Sequence, residues 1–358
     1  MRPKRIAIIA EWLTSRGGAE AVVYELAKIY PKADIFTSVY IKENHPEIFS
    51  RKVTTSFLKN IPVINKKHQL ALLLLPKAMK GLNLEGYDLI ISSSSAFGKW
   101  VTKPKGAKHI CYCHTPMRWV WEPNLDNRLA RLPGGKSIIS WLKKNDLKTN
   151  ENVDLFLANS QNTSKKIDKF YNRKSTVVYP PVELEKFLNA YTKRKEDFYF
   201  TISRMIRYKR MDLAISACKK LGRQLVVAGI GPEYKRLKKI AGKQTKFVGH
   251  VDLQAKIDYY KKAKATIFCA EEDFGIVPVE SLACQTPVIG YGKGGILEVV
   301  ENQKSGILFE EQSVDCLCSA ILEFEKMEFD KDNMRKSAER FDARKFRQRI
   351  LEIVSSIN

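Results

Sequence analysis

Short apolar runs and amphipathic helical segments alternate along most of the chain. Each run is rich in Ile, Val and Leu, and a turn with glycine or hydroxyl side chains follows many of them. Continuous runs of this kind are typical of strands buried on both faces of a parallel sheet. They predict strands at 5–10, 34–40, 87–95, 108–114, 153–160, 176–183, 198–204, 246–250, 265–270 and 305–309, and within 224–233 and 287–295. Helical periodicity at 19–28, 163–171 and 252–262 completes repeated strand–turn–helix units, so we predict an α/β fold.

The length favours two domains, because 358 residues exceed what one hydrophobic core usually supports. Two prolines end the run at 176–183 and stiffen the chain there, and a charged segment follows. We place an N-terminal Rossmann-like domain at 1–189 and a second one at 190–340. A basic helix at 341–358 ends the chain.

The composition, 44% hydrophobic and 28% charged, is that of a soluble globular protein. The seven cysteines have no disulfide-like spacing, which favours a reduced cytoplasm. Cys111 and Cys113, like Cys316 and Cys318, lie in apolar segments, and we interpret them as buried thiols rather than metal ligands. No signal-peptide pattern and no apolar run of the ~20 residues that span a membrane occurs. We expect a cytoplasmic protein, with peripheral attachment to the inner face of the plasma membrane as the other option.

The net charge of +23 suggests the hypothesis of an anionic partner. No nucleic-acid motif is present and the lysines are spread over many helices, so we do not expect a nucleic acid. An anionic membrane surface is the better candidate, because leucines and lysines are interleaved at 59–84. A core helix with a solvated basic end explains this segment equally well, and both interpretations stay open.

An acidic turn after the run at 265–270 predicts a ligand site. A helix begins near Ile276, directly after Gly275, and open α/β folds bind ligands where a strand end meets such a helix. The free N–H groups around Gly275 can hold an anion or sugar hydroxyls, and the carboxylates of Glu272 and Glu280 can accept from hydroxyl groups. A nucleotide sugar has both features. Two solvated acids beside a helix start are the alternative.

Glu272 and Glu280, separated by seven residues, resemble the Glu-x7-Glu signature of the retaining glycosyltransferases of family 4. The sequence Gly-Gly-Ala-Glu at 17–20 and the sequence His-Thr-Pro-Met-Arg at 114–118 are also similar to motifs of that family, and matches run in order through nearly the whole chain. The resemblance extends to the mannosyltransferases of bacterial surface-polysaccharide and O-antigen assembly. It implies an α/β GT-B fold, with two facing Rossmann-like domains and a cleft between them. The second domain would bind the donor, the first the acceptor, and the helix at 341–358 would cross back onto the first.

The resemblance also implies roles for single residues. Glu272 would contact the donor sugar and Glu280 the ribose. Arg204 and Lys209 would neutralise the leaving diphosphate, although surface cations are the stronger interpretation without the family. His114 would contact a sugar hydroxyl. The other donor-binding candidates are Gly17, Gly18, Gly229, Gly231, Phe274, Gly275, Ile276 and Val277.

Two of these assignments have structural alternatives. Gly17 and Gly18 allow a phosphate to approach a helix N-terminus, but an ordinary tight turn explains them as well. In the family this loop contacts the donor phosphate or lines the acceptor side. Arg118 and Trp119 follow His114 closely, and Arg118 can equally be a salt-bridge residue.

The predicted activity is the transfer, with retention, of a hexose from a nucleotide sugar to a hydroxyl of a glycan or polyprenyl-linked acceptor. Mannose from GDP-mannose is the best guess. No metal and no cofactor besides the nucleotide sugar are expected, because Arg204 and Lys209 supply the cations. The alternatives are a GT-B nucleotide-sugar epimerase, a noncatalytic sugar-binding protein, and a basic nucleic-acid-binding protein whose affinity would fall steeply with salt.

Overall fold

The computed structural model describes residues 5–61, 72–127, 129–188 and 195–357. Contacts divide the chain into two compact units, Met1–Pro181 with Phe346–Asn358, and Val182–Lys345. The predicted boundary at residues 189 and 190 lies outside the described residues. Residues 182–188, which the sequence assigned to the first domain, belong to the second unit, because Phe187 is buried there with its ring 6.5 Å from that of Tyr260.

The first unit is built on a seven-stranded parallel sheet with the order β3-β2-β1-β4-β5-β6-β7. Its strands are β1 Ile6–Ala10, β2 Asp34–Thr37, β3 Val53–Thr55, β4 Leu89–Ser94, β5 Lys108–Cys113, β6 Leu155–Ala158 and β7 Ser175–Val177. The helices of this part of the chain are α1 Gly18–Ile29, α2 Leu75–Lys80, α3 Arg118–Trp121, α4 Gly135–Thr149, α5 Gln161–Tyr171 and the C-terminal α14 Ala343–Ser356.

Both faces of this sheet are covered, as the continuous apolar runs predict. Alternate residues of β1 enter different cores: Ile8 packs with α1, and Ile9 packs on the opposite face. From Phe346 onwards α14 belongs to the first unit, where Phe346 and Ile350 join the core that contains Ile8.

One strand of the first sheet was not predicted. Val53–Thr55 pairs with β2 at the edge of the sheet, and all three of its residues are half-buried. A strand of three residues with one aliphatic side chain produces no apolar run, so periodicity missed it.

The second unit holds a six-stranded parallel sheet with the order β10-β9-β8-β11-β12-β13. Its strands are β8 Tyr199–Ile202, β9 Leu225–Ala228, β10 Thr245–Gly249, β11 Thr266–Phe268, β12 Val288–Tyr291 and β13 Gly306–Phe309. Its helices are α6 Glu185–Leu188, α7 Met211–Leu221, α8 Tyr234–Ile240, α9 Leu253–Lys262, α10 Ile276–Ala283, α11 Ile296–Val299, α12 Val314–Phe324 and α13 Lys331–Glu339. All the predicted strands of this unit are present, and the α/β prediction is confirmed.

Both sheets reverse their strand order beside the first strand of the unit. In the first sheet the chain runs from β1 outward to β3 and then returns to the other side of β1 as β4. In the second it runs from β8 outward to β10 and returns beside β8 as β11. The connections leave the sheet in opposite directions at such a reversal and open a crevice at the carboxyl ends of the strands. The ends of β1 and β4, and those of β8 and β11, are therefore where each unit can bind a ligand.

The leucine- and lysine-rich segment at 59–84 is described only in part, since residues 62–71 lie outside the described residues. In α2, Leu75 and Met79 are buried in the core of the first unit. Leu73 and Leu74, directly before the helix, are exposed. The core interpretation thus holds for α2, while the residues before it leave apolar surface in solvent.

A buried ion pair ties the loop after β4 to α4. The ammonium of Lys99 lies 2.6 Å from the carboxylate of Asp146, and both side chains are almost fully buried. The same carboxylate accepts hydrogen bonds from Trp100 Nε1 at 3.1 Å, Trp121 Nε1 at 2.8 Å and the Tyr171 hydroxyl at 2.8 Å. Four segments of the chain therefore meet at one carboxylate, including α3, which directly follows the His114 segment.

The seven cysteines form no disulfide: Cys316 is half-buried and the others are buried. The interpretation of the two cysteine pairs as buried thiols is therefore confirmed for Cys111, Cys113 and Cys318. Among the described residues, no helix combines the length and the apolar character needed to cross a bilayer.

We predict that Lys99→Ala destabilises the first unit by about 3–5 kcal/mol, because it leaves the Asp146 carboxylate buried without its cation. The measurement is the free energy of unfolding from urea titration. Lys174→Ala is the control, since Lys174 pairs with Asp168 at an exposed surface and should contribute less than about 1 kcal/mol. Equal losses in the two variants would contradict a central role for the buried pair.

Candidate functional site

A buried acid lies at the crevice of the first unit. Glu11, directly after β1, accepts hydrogen bonds from the backbone N–H groups of Ser95 at 2.7 Å and Gly98 at 3.1 Å, from the N–H of Ala96, and from the Ser95 hydroxyl at 2.9 Å. Burial raises the pKa of Glu11, and these hydrogen bonds partly oppose that effect. The carboxylate thereby holds the loop after β4 in place. The sequence analysis missed this residue, although an acid directly after a buried strand was the available signal.

His114 lies beside this acid, as the position after β5 leads one to expect. Its Nε2 is 2.7 Å from the hydroxyl of Ser93, and its backbone N–H donates to the carbonyl of Ser94 at 2.8 Å. The ring also packs edge-on against Tyr112, with 5.1 Å between centroids. These contacts fix the imidazole at the carboxyl ends of β4 and β5.

The predicted glycines precede and begin α1 at the same crevice. Gly17 caps the helix with extended backbone and Gly18 is its first residue. A Cβ at position 17 would lie 2.9 Å from the carboxylate of Glu20, so glycine leaves room for that side chain. The start of α1 therefore carries a carboxylate, whose neighbours include the backbone N–H of Glu20 itself.

Glu20 is the second titratable group that the sequence analysis did not single out. It lines a cavity of about 30 Å³ together with Glu11, Ser93, Ser95 and His114. Burial and the neighbouring Glu11 carboxylate raise its pKa from 4.5 to about 7. A buried acid next to an imidazole and hydroxyls can accept hydrogen bonds from a sugar hydroxyl.

The crevice of the second unit joins a cation and an acid. Lys209 ends a turn of 3-10 helix after β8, and its ammonium forms an ion pair with the carboxylate of Glu272 in the loop after β11. The two side chains are only 15% and 20% exposed. Arg204 also follows β8, and it is exposed. The structure thus brings two of the predicted residues into contact and places a third near the same strand end.

The loop that carries Glu272 depends on two further glycines. The N–H of Gly295 donates to the carbonyl of Glu272 at 2.8 Å. A Cβ at Gly294 would lie 2.2 Å from that carbonyl oxygen, and one at Gly295 would lie 2.3 Å from the carbonyl oxygen of Asp273. Any side chain at either position would therefore displace the acidic loop.

Gly275 caps α10 in the left-handed region, at φ 90°, where glycine is favoured. Phe274 is buried with its ring 5.2 Å from that of Phe341 and anchors the loop. Ile276 and Val277 are half-buried in the first turn, where backbone N–H groups have no partner within the helix. The end of the acidic loop is thus packed into the unit through Phe274, and the first turn of α10 has backbone donors for an anion.

Glu280 lies in a different environment from Glu272. Its carboxylate contacts Lys256 Nζ at 2.6 Å and the Tyr260 hydroxyl at 2.9 Å, both on α9. Each glutamate of the Glu-x7-Glu pattern is therefore paired with its own lysine. The pairing orients the Glu280 carboxylate toward α9.

Gly229 and Gly231 have a structural reason that the sequence did not reveal. A Cβ at position 229 would lie 1.9 Å from the carbonyl oxygen of Ser203, and one at position 231 would lie 2.4 Å from that of Met205. The turn after β9 thus packs directly on the segment that carries Arg204. Packing against this segment is enough to account for glycine at both positions. Their predicted contact with the donor stays a prediction.

The site residues therefore form one group in each unit. Among the described residues, no cluster of three or more His, Cys, Asp or Glu side chains has metal-binding geometry. The group in the first unit is Gly17, Gly18 and His114, with Glu11 and Glu20 added by the structure. The group in the second unit is Arg204, Lys209, Gly229, Gly231, Glu272, Phe274, Gly275, Ile276, Val277 and Glu280.

Both halves of the chain match known family models. Residues 16–186 match the model described as Glycosyltransferase Family 4, and residues 182–341 match the model described as Glycosyl transferases group 1. Together the two matches include every residue in the two groups above except Glu11, which precedes the first match.

The chain is similar to curated mannosyltransferases. It is 28% identical over 244 residues to the alpha-1,3/1,6-mannosyltransferase ALG2 of Homo sapiens, over 58% of this chain and 57% of the relative. It is 28% identical over 142 residues to the GDP-mannose-dependent alpha-(1-6)-phosphatidylinositol monomannoside mannosyltransferase of Mycobacterium tuberculosis, over 34% of this chain and 36% of the relative. The chain spans about half the length of the curated relatives it matches.

The fold is similar to that of solved structures over the whole chain. The Anabaena protein HepE, solved in complex with UDP and glucose, matches with a TM-score of 0.71 at 18% identity, over 99% of this chain and 100% of that chain. At this identity the match concerns the fold.

We predict that Glu20 makes stability fall as the pH rises from 5 to 8. Its folded-state pKa of about 7 exceeds the ordinary 4.5, so its contribution is fully present below 4.5 and is lost as the pH rises through 7. The full effect is on the order of 3 kcal/mol. The measurement is the free energy of unfolding against pH for the native chain and for Glu20→Gln. The difference between the two should grow above pH 5 in favour of the variant, and parallel profiles would contradict the raised pKa.

Proposed function

The chain is a family 4 glycosyltransferase with the GT-B fold, and from this premise we propose that it transfers mannose from GDP-mannose, with retention, to a hydroxyl of a glycan or polyprenyl-linked acceptor. The observation that carries the proposal is the Lys209–Glu272 pair at the reversal beside β8. It unites a cation for a diphosphate with a carboxylate for sugar hydroxyls at the place where such sheets bind nucleotides.

The leaving group determines what the second unit has to do. Breaking the bond between the anomeric carbon and the diphosphate moves an electron pair onto a phosphate oxygen. Lys209, Arg204 and the N–H groups at the start of α10 would stabilise that charge. Fixed groups of this kind do not reorganise during the reaction, and we propose that they make a metal ion unnecessary.

Glu272 and Glu280 would hold the neutral parts of the donor. Glu272 is anchored by Gly294 and Gly295 and would accept from sugar hydroxyls. Glu280, oriented by Lys256 and Tyr260, would accept from the ribose. No carboxylate is assigned as a covalent nucleophile, so we propose attack by the acceptor on the same face that the diphosphate leaves, with the acceptor proton passing to the departing phosphate.

The group in the first unit suits hydroxyls better than phosphates. Glu11 and Glu20 place acid at the start of α1, and a phosphate there would be repelled in the ionised state. We therefore assign Gly17, Gly18 and Glu20 to the acceptor side. His114, held by Ser93, would contact a sugar hydroxyl.

The choice of mannose is supported by the His-Thr-Pro-Met-Arg segment at 114–118 and by the two mannosyltransferase relatives. HepE, with UDP and glucose, has the same fold at low identity and makes UDP-glucose the necessary competitor in any donor test. A lipid-linked acceptor would bring the enzyme to the inner face of the plasma membrane as a peripheral protein.

We predict acceptor-dependent release of GDP from GDP-mannose that survives a chelator. The assay offers GDP-mannose, UDP-glucose and related donors, each with and without a crude polyprenyl-linked glycan fraction and with EDTA. Proton NMR of the product then reports the anomeric configuration. Turnover of UDP-glucose alone would retain the enzyme class and discard mannose. Donor conversion without any acceptor would indicate an epimerase, and loss of activity in EDTA would contradict metal independence.

We also predict that Lys209→Ala and Glu272→Ala each lower kcat/KM by at least ~10²-fold, the scale for a lost electrostatic group at the reacting centre. Lys220→Ala is the matched control. Lys220 forms an ion pair of 2.6 Å with Asp315 in the same unit, but on the exposed surface. Turnover should be unchanged in the control, and near-normal rates in either site variant would refute the assignment.

A further inference from the structure

Helix α4 has an exposed face that carries positive charge and no acid. Its exposed lysines are Lys136, Lys144 and Lys148. The one acid of the helix, Asp146, is buried against Lys99 on the opposite side. Because that acid pairs with Lys99 in the interior, α4 contributes only cations and no acid to its exposed face.

The same face exposes large apolar side chains. Trp141 is 46% exposed and Leu147 is 42% exposed, and Leu132, just before the helix, is 56% exposed. We call Lys136, Trp141, Lys144, Leu147 and Lys148 the α4 face. Exposed apolar side chains grouped with cations mark an interaction surface rather than a merely solvated helix.

A second element extends this surface. The Trp141 ring lies 6.4 Å from that of Trp100, and Lys80 of α2 places its ammonium 5.7 Å from the centre of the Trp100 ring. Leu73, which precedes α2, is 57% exposed. The sequence contains no acid from 57 to 84 or from 127 to 145. The exposed side chains described on α4 and on the segment at 72–84 are therefore apolar, basic or neutral polar, and neither stretch contributes an exposed acid of its own.

We propose that the α4 face is the docking surface for a bilayer rich in anionic lipids. Lysines at the rim would rest on anionic head groups, Trp141 would lie at the level of the head groups, and Leu147 would enter the acyl boundary. Charge complementarity selects an anionic bilayer over a neutral one. The proposal deepens the proposed function, on which it rests for the membrane-bound acceptor, and it adds a helix outside the segment at 59–84.

The test is sedimentation of the full chain with sucrose-loaded vesicles of phosphatidylcholine and phosphatidylglycerol at 7:3, against vesicles of phosphatidylcholine alone. We expect binding to the anionic vesicles that weakens with salt. Lys144→Glu combined with Lys148→Glu should lower the partition coefficient at least about tenfold, given the usual contribution of each cation near such a surface. The matched control, Lys235→Glu with Lys239→Glu, makes the same change in charge at two exposed lysines of α8 in the second unit and should bind like the native chain.

A second measurement tests whether Trp141 contacts the bilayer. Brominated lipids should quench part of the fluorescence of the native chain, and Trp141→Phe should remove most of that quenching while retaining binding. Quenching that persists in Trp141→Phe would place another part of the chain in the bilayer and overturn the assignment of the α4 face.

The remaining outcomes are equally decisive. Absence of binding to anionic vesicles, or equal binding by the double glutamate variant, overturns the proposal. If the native chain does not bind vesicles but binds single-stranded RNA, and the double glutamate variant loses that binding, the face belongs to a nucleic acid. If the native chain instead self-associates and the variant does not, the face belongs to a second copy of the chain. Vesicle binding needs neither donor nor acceptor, so it stands if no donor is turned over. Transfer to a water-soluble acceptor should be unchanged in the variant if only docking is lost.

Discussion

The reversal of strand order beside β1 and β8 is the constraint on which the rest of the structure depends. At each reversal the connections diverge and leave a crevice at the carboxyl ends of the strands, and the segments that follow the strands line it. In the first unit the Glu11 carboxylate takes the N–H groups of the loop after β4. In the second unit Gly294 and Gly295 let the loop after β11 lie directly against backbone. The Glu11 hydrogen bonds and the close packing at Gly294 and Gly295 each hold polar side chains at the carboxyl edge of a sheet, where those side chains can contact a ligand.

Buried charge is used in two different ways in this chain. Lys99 and Asp146 are buried together with a full set of hydrogen bonds, and their pairing fixes α3 and α4 around one carboxylate. Such a pair stabilises only because neither charge is left alone. Glu20, by contrast, is buried beside another carboxylate, and its raised pKa records an unfavourable environment. An arrangement that costs stability at neutral pH is expected where a side chain serves binding rather than folding.

The sequence predicted most of the fold because parallel strands covered on both faces produce continuous apolar runs. It missed Val53–Thr55, an edge strand that is only half-buried and produces no such run. It placed Lys209 and Glu272 after the ends of two strands, and the resemblance to family 4 gave both a part in donor binding. That these strands adjoin at the reversal and bring the two side chains into contact is known only from the structure. The hydrogen bonds that bury Glu11 and the pairing of Lys99 with Asp146 could not be found in this way, because the partners are 84 and 47 positions away. Glu20 lies in the Gly-Gly-Ala-Glu motif at 17–20, but its raised pKa depends on burial and on the Glu11 carboxylate, which the motif does not contain.

The two groups differ in their cations, since Arg204 and Lys209 lie in the second unit while the first-unit group has two acids and a histidine, and this difference is consistent with separate donor and acceptor roles. A departing diphosphate gains negative charge, which Lys209 and Arg204 would balance, so the leaving group belongs with the second unit. An acceptor hydroxyl can donate a hydrogen bond, which a carboxylate accepts, so the Glu11 and Glu20 group suits the acceptor. A third feature, the cationic face of α4, lies in the same unit as the acceptor group. An acceptor anchored in an anionic bilayer would then meet the unit that both recognises its hydroxyl and rests on its membrane, while the soluble donor needs only the other unit.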